Sequence, residues 1–289
     1  MLKVAFVIYR EWGYEIFKNI LTFQKQRKDF ILDTLIVPQS EKFTIAASIK
    51  NGVAIYSVDP KNTIQIYEIL KTNKIDIVCL YSWSWIVKKP ILTDFICLCL
   101  HPSPLPKYRG GTPIQNQIIN GEEKSAVSIF KMSEGIDDGP IYKQTPISFL
   151  GDVNDIFARM IDAGTIMTKQ LLEDALTNKL SFKPQKNLSK NPPYKRRTPA
   201  QSEINKAHLS QIKYMELYNL IRGLLDPYPN VFMTVGRQKI AIFKITKYKY
   251  LPSDAVLLEN KNIKNNQKNV FIKLKDSYAK LLKYKVTEI

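Results

Sequence analysis

The chain has 289 residues, a hydrophobic fraction of 45% and a formal net charge of +17 at pH 7. This length suits one large domain with a smaller one, and no run of about 18 apolar residues is present, which argues against a membrane span. Three cysteines, all inside apolar runs and without metal-ligand spacing, argue against a disulfide framework and a structural zinc, and favour a reducing cytoplasm.

The positive charge has two explanations. It can attract an anionic partner such as RNA, a membrane surface or a phosphorylated substrate. The abundance of Lys, Asn and Ile that an AT-rich coding sequence produces accounts for the same charge without a function.

The first half of the sequence alternates apolar runs with helix-like stretches such as 63–70. The runs that predict short buried strands lie at 3–9, 30–37, 53–58, 75–81 and 94–100. Apolar strands separated by helices are typical of a parallel sheet covered on both faces. We therefore predict an α/β protein with an open, mostly parallel Rossmann-like sheet, in which ligands bind beyond the carboxyl ends of the strands.

The second half begins with predicted strands at 125–132 and 139–148 and a helix at about 152–178. A basic, proline-rich stretch then predicts an extended linker, with contact to RNA phosphates as the alternative. A helix at about 208–224 precedes short predicted strands near 231–236, 239–248, 254–259, 269–274 and 279–286. This spacing predicts a small β-barrel-like (OB-like) domain. The predicted division is 1–180 for the first domain, 181–204 for the linker and 205–289 for the second domain.

His101 directly follows the predicted strand 94–100 and precedes a loop with prolines at 102, 104 and 106. Three prolines in five residues restrict the backbone, so the loop should be rigid. A basic turn with two glycines, 107–111, comes next. A histidine at the end of a buried strand, on a rigid loop, indicates a functional residue. The other histidine, His208, lies in a polar helical stretch and is predicted to be exposed.

An acidic turn bracketed by glycines, 132–141, joins two predicted strands and contains Asp137. A plain hairpin turn explains it when it is considered alone. Together with His101, Asp137 offers a base and an orienting carboxylate.

These segments resemble the N10-formyltetrahydrofolate-dependent formyltransferases, a family that includes methionyl-tRNA, glycinamide ribonucleotide and sugar-nucleotide formyltransferases. The family motif is Asn-x-His-Pro-Ser-x-Leu-Pro-x-x-Arg-Gly, followed by Asp-x-Gly some thirty-odd residues later. The matches here are His101-Pro102-Ser103, Leu105-Pro106, Arg109-Gly110 and Asp137-x-Gly139. The resemblance implies formyl transfer to a primary amine, with N10-formyltetrahydrofolate as co-substrate, His101 as acid–base group and Asp137 as its partner.

The resemblance also implies two groups of binding residues. The predicted donor pocket comprises Tyr81, Ser82, Trp83, Trp85, Ile86, Ile136 and Asp138. The predicted acceptor residues are Arg10, Lys107, Tyr108, Arg109, Gly110 and Gly111, with Arg109 pairing with a phosphate. Core packing is the alternative role for Trp83 and Trp85, and a surface salt bridge is the alternative for Arg10.

One position departs from the family pattern, because Cys99 stands where the family has Asn. In the family, the Asn amide is thought to donate to the formyl oxygen, whereas a thiol is a weak donor. Losing such a donor typically costs about 3 kcal/mol of transition-state stabilisation. His101 or a backbone amide can replace it, the enzyme can be slow, or the chain can be a non-catalytic folate- or nucleotide-binding protein. A reactive-thiol role for Cys99 is a further alternative.

Three functions remain open at this point. The segments 83–85, 196–199 and 226–230 resemble the sugar-formylating branch, which favours a nucleotide-linked amino sugar as acceptor, for surface polysaccharide. Initiator methionyl-tRNA is the second candidate, although the long basic insertion of the tRNA enzyme is not seen in the sequence. A non-catalytic binding protein is the third. We expect a cytoplasmic protein, with a homodimer left open.

Overall fold

The computed structural model describes residues 1–40, 52–258 and 262–289. The chain divides into two compact units. The first unit comprises Met1–Gly110, Ser125–Ser148 and Phe157–Tyr194. The second unit comprises Gly111–Lys124, Phe149–Ile156 and Lys195–Ile289.

The first unit is built on a seven-stranded sheet with the order β3-β2-β1-β4-β5-β6-β7. The strands are β1 (Leu2–Ile8), β2 (Phe30–Pro38), β3 (Ala54–Val58), β4 (Ile77–Tyr81), β5 (Ile96–His101), β6 (Lys124–Lys131) and β7 (Ile141–Ser148). The pairs among β1 to β5 are parallel, and β6 runs antiparallel to β5. The predicted open, mostly parallel α/β sheet is therefore confirmed. Residues 4–8 of β1 are fully buried, as expected for a strand covered on both faces.

Helices cover this sheet. They are α1 (Glu11–Gln24), α2 (Thr63–Thr72), α3 (Ile91–Asp94) and α5 (Val153–Leu176), the last beginning in the second unit. Helix α2 begins where the sequence predicts, because the Asn62 side chain accepts a hydrogen bond from the Gln65 N–H and caps the first turn. Within the described ranges, no helix is both long enough and apolar enough to cross a bilayer.

The second unit combines helices with a five-stranded sheet in the order β10-β11-β12-β9-β8. The helices are α4 (Pro113–Ile119), α6 (Lys206–Leu209) and α7 (Tyr214–Gly223), and the strands are β8 (Val231–Val235), β9 (Gln238–Tyr248), β10 (Val256–Leu257), β11 (Val270–Lys273) and β12 (Tyr278–Glu288). This curled sheet of five strands fits the predicted small β-barrel-like domain. The predicted strand 254–259 is shorter in the structure, and its residue 259 lies outside the described residues.

The single helix predicted at 208–224 is wrong, because the chain forms two helices there. Helix α6 ends at Leu209, and the Lys213 N–H donates to the Glu216 carboxylate at 2.7 Å. This contact satisfies a free backbone donor at the start of α7, so a new helix begins after a break.

The two units interleave along the chain, whereas the sequence predicted contiguous domains. Helix α4 packs on α7, where a Cβ atom at Gly223 would lie only 3.1 Å from Ile118 Cγ2. The Arg222 guanidinium donates to the carbonyl oxygens of Phe149 and Gly151. Residues 111–124 and 149–156, which make these contacts, belong to the second unit. The predicted linker is also divided, since residues up to Tyr194 belong to the first unit.

Candidate active site

Three strands of the first unit end at the same edge of the sheet. Ile8 pairs with Tyr81, and Tyr81 pairs with Leu100, all in parallel register. The segments that follow these strands therefore leave the sheet side by side. They carry Tyr9 and Arg10, the loop 82–86, and the loop that begins at His101. This is the edge at which open α/β sheets bind ligands.

The structure brings His101 and Asp137 together at this edge. Nδ1 of His101 lies 3.4 Å from Oδ2 of Asp137, and Nε2 lies 2.9 Å from the carbonyl oxygen of Tyr108. His101 is 6% exposed, so both contacts are largely shielded from water. Such a pair can exchange a proton and hold the resulting charge.

The two contacts of His101 assign different roles to its ring nitrogens. A carbonyl oxygen only accepts hydrogen bonds, so Nε2 must carry a hydrogen to bond Tyr108. In the neutral ring, Nδ1 is then the nitrogen with the free lone pair. It faces Asp137, whose carboxylate stabilises the cationic ring once Nδ1 has taken up a proton. Nδ1 is therefore the ring nitrogen that is available to take up a proton.

Asp137 is held by backbone and side-chain contacts. Its Oδ2 accepts a hydrogen bond from the Gly110 N–H at 2.8 Å. The Gln185 amide donates to the carbonyl oxygens of Asp137 and Gly139 at 2.9 and 2.8 Å. Only glycine fits at position 139, since the Cβ atom of any other residue would clash with the Lys131 carbonyl oxygen. The acidic turn is thus fixed in place and is more than a simple hairpin connection.

Buried hydroxyl groups hold the loop that follows His101. Ser103 is fully buried and donates to the Lys107 carbonyl oxygen at 2.7 Å. Ser128, which pairs with His101 across β5 and β6, donates to the Ser103 carbonyl oxygen at 2.6 Å. The Gln144 amide donates to Ser128 Oγ at 2.9 Å. This network supports the rigidity that the prolines predict.

Arg109 has a different environment from the one its predicted role requires. Its side chain is buried, and its guanidinium donates to the carbonyl oxygens of Ile136, Leu188 and Asn191 at 2.8–3.2 Å. Four of its five N–H groups are used in this way. We therefore assign Arg109 to joining the acidic turn with the segment 188–191, in place of pairing with a substrate phosphate.

Cys99 lies on the same face of β5 as His101, because side chains two residues apart share a face of a strand. Burial raises the pKa of the Cys99 thiol well above its ordinary value, and the Asp137 charge raises it further. Its Sγ lies 3.7 Å from the Leu100 carbonyl oxygen. The neutral thiol is therefore a poor nucleophile, which argues against the reactive-thiol alternative.

Aromatic side chains connect the segments after β1 and β4. The Tyr9 and Trp85 rings meet edge to face at 4.7 Å, and the Trp83 and Trp85 centroids are 4.8 Å apart. The Arg10 guanidinium lies over the Tyr9 ring at 4.2 Å. Ser82, in a left-handed conformation, accepts from the Tyr9 and Arg10 N–H groups and ties the two segments together.

The predicted donor-pocket residues differ in accessibility. Tyr81 is completely buried, with its hydroxyl on Thr168, so it packs in the core and does not face a ligand. Ile86 and Ile136 are 70% and 51% exposed. The Asp138 carboxylate accepts from the Ser133 hydroxyl. An apolar pocket lined in part by Trp83 and Ile86 has about 10 Å³ of space, room for about one water, so a ring system does not fit it in this conformation.

The predicted acceptor turn is shaped by left-handed residues. Lys107 is exposed, and Tyr108 and Gly110 have φ angles of 58° and 87°. In the second unit, Gly111 approaches the Arg196 backbone so closely that a Cβ atom would lie 2.4 Å from its nitrogen. Among the residues described, no group of three or more His, Cys, Asp and Glu side chains could hold a metal ion.

Sequence reasoning missed Tyr194 and Gln185. The Tyr194 ring stacks on Tyr108 with centroids 5.3 Å apart, and its N–H donates to the Arg109 carbonyl oxygen at 2.7 Å. Both residues lie in the stretch predicted as a linker, where composition alone gives no sign of contacts. The close approach required by Gly110 was the available signal, since a Cβ atom there would lie 2.5 Å from the Tyr194 carbonyl oxygen.

A histidine paired with a carboxylate, at the carboxyl edge of a Rossmann-like sheet, defines an α/β protein equipped for acid–base chemistry. Residues 40–176 match the sequence model of the formyl transferase family. A methionyl-tRNA formyltransferase from Kosmotoga olearia is 28% identical over 199 residues, which cover 66% of this chain and 61% of that protein. The chain thus spans less than two thirds of the length of this curated relative. Over the segment 40–176, the chain is thus similar to the formyl transferase family.

Solved structures share the fold. A methionyl-tRNA formyltransferase from Clostridium thermocellum superposes with a TM-score of 0.66 at 22% identity, covering 100% of both chains. A sugar N-formyltransferase from Shewanella sp FDAARGOS_354 gives a TM-score of 0.68 at 18% identity, covering 84% of this chain and 96% of that one. At these identities the likeness extends to the fold alone.

Proposed function

We propose that this protein transfers the formyl group of N10-formyltetrahydrofolate to a primary amine. The observation that carries the proposal is the contact between His101 and Asp137 within the segment that matches the formyl transferase family. The same two residues are those that the family motif assigns to the chemistry.

The residues at the carboxyl edge offer aromatic and apolar surface to a flat, conjugated donor. The rings of Tyr9, Trp83 and Trp85 form one cluster, and Ile86 and Ile136 present exposed apolar side chains. Aromatic rings of this kind stack on planar ligands and exclude water from them. The donor, when bound, supplies the formyl group.

His101, with Asp137 beside it, takes up the proton that the acceptor amine loses. As the amine nitrogen bonds to the formyl carbon, it becomes acidic and must lose a proton. His101 Nδ1 accepts that proton, and the Asp137 carboxylate stabilises the imidazolium that results. The proton then passes to the departing nitrogen of the donor, which restores the neutral ring. Positioned acid–base groups typically contribute about 10²–10⁴-fold to a rate.

Cys99 makes the site weaker than its Asn-containing relatives. The formyl oxygen gains negative charge during attack and needs hydrogen-bond donors. A neutral thiol at position 99 donates only weakly. We therefore propose a catalyst in which acid–base chemistry and substrate positioning supply most of the rate, with little help from position 99.

We propose a nucleotide-linked amino sugar as the acceptor. The resemblance of 83–85, 196–199 and 226–230 to the sugar-formylating branch supports this choice. Initiator methionyl-tRNA is the second candidate. The curated methionyl-tRNA formyltransferase and the net charge of +17 favour it.

The test is a panel of acceptors with purified protein and 10-formyltetrahydrofolate. We expect a formamide product, seen by mass spectrometry, with a dTDP- or UDP-linked amino sugar. Transfer to charged initiator tRNA alone would establish the second candidate. That complex should also weaken steeply with salt, because binding to nucleic acid releases counterions. Absence of transfer to every amine, with the donor bound, would establish a binding protein.

A further inference from the structure

Tyr194 packs against the loop whose backbone contacts His101. Its ring stacks on the Tyr108 ring, with centroids 5.3 Å apart and planes 20° from parallel. Its N–H donates to the Arg109 carbonyl oxygen at 2.7 Å, and it forms a β-bridge with Gly110. Side chain and backbone of Tyr194 therefore hold three consecutive residues of that loop.

Tyr108, the middle residue of these three, determines which ring nitrogen of His101 carries the hydrogen. The Tyr108 carbonyl oxygen faces Nε2 at 2.9 Å, and Tyr108 itself has a left-handed backbone, with φ 58°. Left-handed backbone is disfavoured for a residue with a side chain, so contacts elsewhere must maintain it. The stack on Tyr194 is a ring contact that opposes relaxation of Tyr108.

The segment that carries Tyr194 is itself anchored. The Arg109 guanidinium donates to the carbonyl oxygens of Leu188 and Asn191, three to six residues before Tyr194. The same guanidinium donates to the Ile136 carbonyl oxygen, next to Asp137. The segment 188–194, the loop 108–110 and the acidic turn thus form one connected frame around the imidazole.

We propose that Tyr194 is a positioning residue for His101: it holds the Tyr108 carbonyl oxygen against Nε2 and thereby keeps Nδ1 as the basic nitrogen. The catalytic part of this inference rests on the proposed formyl transfer, whereas the control of the tautomer stands without it. A stretch of sequence with the composition of a linker accordingly belongs to the active site.

Histidine NMR tests the tautomer directly, because the chain has only His101 and His208. In ¹⁵N-histidine protein carrying His208→Gln, at a pH where the ring is neutral, we expect His101 to show the Nε2–H form. Tyr194→Phe keeps the stack and should preserve this form. Tyr194→Ala should give a mixture of both tautomers. The control is Tyr250→Ala, which removes a 73% exposed tyrosine of the second unit.

Two results overturn the proposal. One is a wild-type ring that is not in the Nε2–H form, and the other is a folded Tyr194→Ala protein that keeps the wild-type form. Circular dichroism establishes folding, and Tyr194→Leu, which retains bulk without an aromatic face, serves if the alanine variant unfolds. Tyr194→Leu is also expected to give mixed tautomers, and an unchanged spectrum of this variant contradicts the proposal equally.

Kinetics separate this inference from the proposed function. With an active acceptor, Tyr194→Ala should lower kcat by roughly 10–100-fold with little change in the KM for the donor, since misplacement of a reacting group can cost about 10²-fold. Tyr194→Phe should restore kcat. If wild-type protein transfers no formyl group but Tyr194→Ala still alters the tautomer, the proposed function fails and the positioning role remains.

Discussion

The Nε2 atom of His101 lies 2.9 Å from the backbone carbonyl oxygen of Tyr108, which leaves Nδ1 to face Asp137 at 3.4 Å. The carboxylate is therefore next to the nitrogen that takes up the proton in the proposed mechanism. In a serine-protease triad the carboxylate instead binds the nitrogen that already carries hydrogen. In the proposed mechanism, Asp137 acts mainly by stabilising the charged ring, and the Tyr108 carbonyl oxygen fixes the tautomer.

This arrangement predicts a large effect of removing the Asp137 charge. Asp137→Asn retains an oxygen that can accept from the Gly110 N–H, so the turn should stay in place. The imidazolium loses its stabilising charge, and we expect kcat to fall by roughly 10²-fold. Steady-state kinetics with both substrates saturating measure this. Asp162→Asn, at an exposed position of α5, is the matched control, and equal rates for the two variants would contradict the assignment.

The main effect of replacing Arg109 should be a loss of stability of the fold. Arg109→Lys keeps the charge but cannot reach three carbonyl oxygens at once, so partly buried acceptors lose their partner. We expect the free energy of unfolding to fall by about 3 kcal/mol in urea titrations. Arg237→Lys, at an exposed arginine, should change it by less than about 0.5 kcal/mol. Unchanged stability with a raised KM for the acceptor would restore the phosphate-binding role predicted from the sequence.

Position 99 offers a gain-of-function test. An amide is a stronger hydrogen-bond donor than a thiol, so Cys99→Asn should keep or raise kcat, by up to about a hundredfold. Cys99→Ala, which removes the weak donor, should stay within a few-fold of wild type. Single-turnover rates of formamide formation are the measurement. A rate for Cys99→Asn below that of Cys99→Ala would show that the amide has no oxyanion to bind at this position.

The cysteine pKa values predict thiols that react slowly. Burial raises the pKa of Cys79 and of Cys97 to about 12, and raises that of Cys99 well above its usual range. The thiolate is the reactive form, so a raised pKa lowers reactivity at every pH below it. At pH 8, a disulfide reagent such as Ellman's reagent should label the thiols of the native protein slowly. In denaturant, the same reagent should label all three thiols. A thiol that reacts rapidly in the native protein and is absent from the Cys99→Ala variant would contradict this prediction.

The fold was accessible to sequence reasoning because its elements follow simple patterns. Buried parallel strands are continuous apolar runs, and β1, β4 and β5 lie within a few residues of the predicted positions. The break between α6 and α7 was not accessible, since it depends on a contact between Lys213 and Glu216 that apolar periodicity does not reveal.

The site was accessible in part. The resemblance supplied His101 and Asp137, and the structure brings them within 3.4 Å. It also suggested Arg109 as a phosphate contact and Tyr81 as a pocket residue, but a motif does not show that one guanidinium is saturated by carbonyl oxygens or that one ring is fully buried. Tyr194 was missed because contacts between distant segments leave no trace in local composition.

Formyl transfer by wild-type protein and by His101→Gln tests the central claim most directly. With 10-formyltetrahydrofolate and an active acceptor, we expect wild-type turnover, a loss of at least about 10²-fold in His101→Gln, and no loss in His208→Gln, which changes the exposed histidine. A His101→Gln protein that transfers the formyl group as fast as wild type would contradict the account.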